Sequence, residues 1–132
     1  MKCLVSLIAI VVAGCGRTCI LENEIELRRS QFEANTSLFQ ETLNSIKENK
    51  NVKSEVKPYD PRLHTIGITR VLIYTDCIVF DFFSDTLDSR RAIVFLVNPG
   101  EIQGTSSIDK FPYSFHRQIA LSKKGWYYVL YD

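Results

Sequence analysis

The segment IGITRVLIYTDCIVFDFF, residues 66–83, decides the fold class. It is dense in β-branched and aromatic residues, which suit a pleated, half-buried surface. Its polar break at Thr75-Asp76 has turn chemistry. Two strands, 66–75 and 77–83, joined by so short a turn are expected to be antiparallel neighbours. Successive side chains of a strand alternate between faces. Ile78, Phe80 and Phe82 therefore point one way, and Cys77, Val79, Asp81 and Phe83 the other. Apolar residues on both sides call for cover on both faces of the sheet.

The downstream chain continues in the same manner. Ser84, Asp85, Asp88 and Ser89 make a loop, and RAIVFLVN (91–98) reads as a third strand. Asn98-Pro99-Gly100 turns the chain into a looser connection over 99–114. FHRQIALS (115–122) is a weaker strand, Lys123-Lys124-Gly125 a hairpin turn, and WYYVLY (126–131) the last strand. In that strand Trp126, Tyr128 and Leu130 oppose Tyr127, Val129 and Tyr131.

Upstream, the period changes. Ile25, Phe32, Phe39 and Ile46 recur every seven residues, with Leu43 four after Phe39, which makes one apolar stripe on a helix over about 25–49. Ser30 with Glu33 resembles a capping box and offers a second start for that helix. The stripe is too short and too Phe-rich for a coiled coil and suits packing on a sheet. Asn35-Thr36-Ser37 matches a glycosylation sequon but falls at a helix position, where it carries no meaning. NKNVKSEVKPYDPR (49–62), with Pro58 and Pro61, reads as a loop. The expected fold is α+β: one N-terminal amphipathic helix packed on an antiparallel sheet of four or five strands joined as a meander.

At 132 residues, 45% hydrophobic and 23% charged, the chain has the balance of one globular domain. Its 16 Lys and Arg face 15 Asp and Glu. So even a balance gives no long-range field to gather nucleic acid, and a nucleic-acid role is disfavoured.

The N-terminus has its own composition. Lys2 supplies a positive end, and CLVSLIAIVVA (3–13) is apolar with a single Ser. That run is about half of the ~20 residues a spanning helix needs and fits the core of an export signal. Val12-Ala13-Gly14-Cys15 then stands where a cleavage site belongs. These four residues resemble the lipobox of bacterial lipoproteins: an aliphatic residue, two small residues, then Cys. The resemblance covers this segment alone. It implies diacylglyceryl transfer to the Cys15 sulfur and cleavage between Gly14 and Cys15. A multiply acylated Cys15 would hold the chain stably on a membrane, at ~0.8 kcal/mol per buried methylene. Gly16 is not the Asp commonly associated with inner-membrane retention. The expected localisation is therefore the cell membrane or outer membrane, with the domain outside the cytoplasm. The expected organisation is 1–14 signal peptide, 15–23 tether and 24–132 domain. In architecture the chain looks like many small bacterial lipoproteins, a likeness that carries no motif for a function.

Of the four cysteines, Cys3 leaves with the signal and Cys15 takes lipid, so Cys19 and Cys77 remain in an oxidising compartment. They are a candidate disulfide closing a long loop; the alternative is a buried Cys77 and a free Cys19. There is no C-x-x-C pair, so zinc and thioredoxin-like chemistry find no support, and no cofactor is implied.

His64 and His116 lie 52 residues apart without ligand or catalytic spacing. Asp76, Asp85 and Asp88 suit turns. Asp81, inside a strand, either pairs with a basic residue such as Arg91 or Arg117 or belongs to a binding surface. Asp81, Phe83, Trp126 and Tyr128 are the candidate partner surface. The function that follows is a lipid-anchored, non-catalytic protein-binding or protective (immunity-like) module at the cell envelope, its partners the membrane and a protein. The alternative is a structural accessory subunit of an envelope complex. An enzyme using Asp81 or His116 ranks third.

Overall fold

The structure, a computed structural model, describes residues 13–48, 55–56, 60–82, 90–98 and 110–131. Two helices open it, α1 (Ala13–Ala34) and α2 (Thr36–Glu48). Strand β1 (Glu55–Val56), the short helix α3 (Pro61–Thr65) and strands β2 (Arg70–Ile73), β3 (Cys77–Asp81), β4 (Arg90–Leu96), β5 (Phe115–Ala120) and β6 (Trp126–Tyr131) follow. The class is α+β, as the periodicities require. Five full strands and the two-residue β1 form a single antiparallel sheet.

The expected stripe is the buried face of the helical layer: Ile25, Phe32, Phe39, Leu43 and Ile46 are at most 2% exposed. The helix differs from the expectation in extent. It runs from Ala13, so Ser30 and Glu33 lie in its interior and cap nothing, and the stretch expected as a tether is helical. No Gly or Pro stands between 17 and 57 to stop it. The break comes at Asn35. Its side-chain amide donates to Gln31 O at 2.8 Å, and the Thr36 hydroxyl donates to Phe32 O at 2.9 Å. Short polar side chains here share helical carbonyls with the backbone, and the Asn35 N–H itself is divided between Gln31 O and Phe32 O, which loosens the helix at this turn. Phe32 and Phe39 meet across the joint with ring centres 5.3 Å apart.

Helix α3 replaces part of an expected loop. Asp60 caps it, accepting from the Arg62 amide at 2.9 Å, and Pro61 fills the first turn, where a missing N–H costs little. Its Leu63 is buried, and Gly67, at φ +102, turns the chain into β2.

The sheet is not the expected meander. Its order is β1-β2-β3-β4-β6-β5, so β6 sits between β4 and β5. The long 97–114 connection lets the chain step past one strand position before β5 and return through the Lys123-Lys124-Gly125 turn. That turn is closed by Trp126 N–H donating to Lys123 O at 3.1 Å, with Gly125 at φ +89.

The alternation read from the strands holds. Val71, Ile73, Ile78, Phe80, Phe82, Ile93, Trp126, Tyr128 and Leu130 share one core with the helices. Leu72, Cys77, Val79, Ala92, Val94, Val129 and Tyr131 form a second cluster on the opposite face. On that back face lies Phe111, its ring centre 5.2 Å from Tyr131 and 5.0 Å from Tyr74. The tail of the 99–114 connection therefore covers part of the face the helices leave bare.

Helix α1 runs antiparallel to β6. Glu24 reaches Tyr128, and further along Phe32 stacks on Trp126 at 5.4 Å. Glu22 lies 3.6 Å from Arg117, whose strand partner is Leu130. The N-terminal part of α1 thus lies over the Tyr131 end of the sheet. The Lys123-Lys124 turn lies at the opposite, Trp126 end.

Candidate functional site

Two charged networks brace the fold, one within the sheet and one between the sheet and α1. Behind the sheet, Asp81 is fully buried. Arg70 Nε donates to its Oδ2 at 2.8 Å, and the Tyr131 hydroxyl donates to its Oδ1 at 2.8 Å. Arg70 is the direct cross-strand partner of Asp81, so the β2–β3 register supplies the counter-charge. This corrects the expectation of Arg91 or Arg117. Arg91 points to the helix side and donates to Glu24 Oε2 at 2.9 Å, and Arg117 faces Glu22. Burial, with the Asp81 charge next, pushes the Tyr131 phenol up to about 12. In front, Tyr128 donates to the same Glu24 oxygen at 2.7 Å, and burial raises its pKa too. Buried polar groups with their partners in place are costly to disturb and hold strands and helix in one register.

The expected partner surface is not a surface. Trp126 and Tyr128 are 3% and 0% exposed, under the helices, and Asp81 is sealed behind the sheet. Aromatic strands that seemed free to face outward are instead consumed by two cores. Phe83 lies outside the described residues. So do the side chains of Cys15 and Cys19, although both residues belong to the first turns of α1.

Cys77 is a buried free thiol, and burial raises its pKa above the usual range. It points to the back face of the sheet. A buried, free Cys77 is the second of the two readings expected for the Cys19 and Cys77 pair, and the Cys19 side chain lies outside the described residues. His64, on α3, and His116, on β5, are both exposed. A shallow cleft of about 400 Å³ opens behind the Trp126 end, among Asp76, Leu96, Asn98, Phe111, Tyr113 and Phe115, with Cys77 at its wall. Neither Asp81 nor His116 lines it.

Among the described residues, the large exposed apolar side chains are placed apart. Ile20 and Leu27 lie bare along α1, and Leu96 and Tyr113 at the cleft. The β5 strand ends the sheet, with His116, Arg117, Gln118 and Ala120 exposed. Sequence reasoning overlooked this edge, although one signal was there: residues 110–131 hold Lys110, Arg117, Lys123 and Lys124 and no acidic residue at all.

Among the described residues, no group of three or more His, Cys, Asp or Glu is placed to hold a metal ion. Among them too, no helix is long and apolar enough to cross a membrane. Compared with models of known families, with curated proteins and with solved structures, the chain matches none.

Proposed function

We propose that the chain is a lipoprotein of the bacterial cell envelope, held on a membrane through lipid on Cys15, whose domain is a non-catalytic protein-binding or protective module. The observation that carries the anchor is the run Val12-Ala13-Gly14-Cys15 directly after an apolar export core. The course of α1 gives such an anchor a place relative to the sheet. Cys15 lies seven residues before Glu22, about 10 Å further along the helix and past the Tyr131 end of the sheet. Lipid there would set that end toward the bilayer and leave the Lys123-Lys124 end free. In favour of a binding module, Asp81 is engaged within the sheet and Glu24 between helix and sheet, rather than offered to a substrate.

Expression in a bacterial host with labelled palmitate, followed by intact mass of the detergent-extracted protein, tests the anchor. The expected result is a labelled chain beginning at acylated Cys15, and a Cys15→Ala variant that takes no label and stays uncut. A Cys15→Ala variant cut normally and held equally by membranes would overturn it.

A further inference from the structure

We propose that the open edge of β5 is a docking site for an extended, acidic segment of a partner protein, which adds to the sheet as a further antiparallel or parallel strand. The inference deepens the binding-module reading by naming the partner's chemistry, and it does not depend on the lipid.

Three observations carry it. First, β5 ends the sheet, and among the described residues no strand pairs beyond it. Leu121 N–H donates to Trp126 O at 2.9 Å, which sets the phase of the β5–β6 ladder. With Ile119 opposite Tyr128 and Arg117 opposite Leu130, these residues bond inward, and Gln118 and Ala120 turn their backbone N–H and C=O outward. An added strand satisfies such groups and gains its affinity from them. Second, Ile119 and Leu121 sit half-buried at this margin, packed on the helix-side core, so a new strand would cover apolar surface as well as backbone.

Third, the charge is one-sided. Arg117 on β5 and Lys123 and Lys124 at its turn are exposed, and the strand pair they belong to, 115–131, holds no Asp or Glu. Charged side chains on an edge commonly serve to keep strands away. Here Arg117 is turned to Glu22 on α1, and Lys123 and Lys124 stand at the turn, beyond the ladder rather than across it. Like charges disfavour a second copy of β5 as the occupant and favour a segment rich in Asp and Glu. A membrane is the poorer occupant, since an extended segment and not a lipid surface can meet the outward N–H and C=O of Gln118 and Ala120.

The test uses the full chain in detergent micelles and two blocked peptides of about ten residues, one alternating Glu and Val, the other Lys and Val. Fluorescence anisotropy reads the affinity and amide shifts read the place. The Glu peptide is expected to bind at least about tenfold more tightly than the Lys peptide, to shift the amides of 116–121, and to weaken in about 1 M salt. Ala120→Pro, which removes an outward donor and no β6 bond, is expected to abolish binding while the far-ultraviolet spectrum stays that of the parent. Lys123→Glu with Lys124→Glu is expected to weaken it by about tenfold or more. Equal binding of the two peptides, or full binding by folded Ala120→Pro, overturns the proposal. So does a dimer of the parent that Ala120→Pro dissolves, or binding to anionic phospholipid vesicles that needs the lysines while the Glu peptide is ignored. Failure of the Cys15 anchor would leave every one of these readings unchanged.

Discussion

The Tyr131 hydroxyl stands 2.8 Å from Asp81 Oδ1, in a place where neither group meets water. With Arg70 on the other oxygen, it makes a three-part bond across β2, β3 and the back of β6. Removal of Asp81 strands both donors. Asp81→Ala is expected to cost about 3 kcal/mol, near the low end for a broken buried pair because Arg70 keeps partial access to water. Asp81→Asn, which keeps an acceptor, is expected to cost about 1–2 kcal/mol. Urea unfolding followed by tryptophan fluorescence reads both.

The same phenol sets an alkaline limit. Its folded pKa, about 12, lies above the ~10 of an unfolded tyrosine, so the folded state holds the proton more tightly. The resulting stability is complete below pH ~10 and is lost as pH rises through about 12. Tyr128 shifts the same way. Absorbance titration near 295 nm is expected to find two of the six tyrosines silent until the protein unfolds. Tyr131→Phe is expected to leave one.

Phe39 touches Phe32, Phe80 and Trp126 with ring centres 5.1–5.8 Å apart, and so joins both long helices to the sheet. Phe39→Ala is expected to cost about 4 kcal/mol through lost burial and the cavity left behind. Thermal melting by circular dichroism measures it. Glu41→Ala, on the exposed side of α2, is the control and should change little.

Gly67 carries φ +102, and a methyl group there would meet Phe82 Cδ1 at 3.2 Å. Gly67→Ala is expected to cost about 1–2 kcal/mol, because backbone strain and the crowded ring act together. Urea unfolding against the parent tests this.

Cys77 is expected to resist alkylation by iodoacetamide in the folded protein and to react at once in denaturant, since burial withholds both access and the thiolate. Mass spectrometry after a timed pulse, with no reductant present, reads it directly. Fast labelling under native conditions would show the strand opening.

Much of this architecture was legible because it rests on period alone. Ile25, Phe32, Phe39 and Ile46 announced a helix face, and the Trp126–Tyr131 alternation sorted its residues correctly between two cores. What escaped depends on contacts distant in sequence. Arg70 and Asp81 could be paired only once the β2–β3 register was known. The insertion of β6 beside β4 turns on which strand positions a long connection spans. The break at Asn35 and the Asp60-Pro61 helix start carried local signals that were visible and passed over. The candidate surface failed for a related reason. Trp126 and Tyr128 are two of the four residues of that surface, yet both point to the side of the sheet that α1 and α2 bury.

Strand β6 is bonded on both flanks and is the latest of the described strands to be made. Until residues 126–131 have left the ribosome, β4 has an empty side and β5 has no neighbour. The first four strands, with the helices, already make a sheet with an apolar face. Their front core still lacks the ring that Phe32 and Phe39 rest on, so the arrival of Trp126 is the step that closes it.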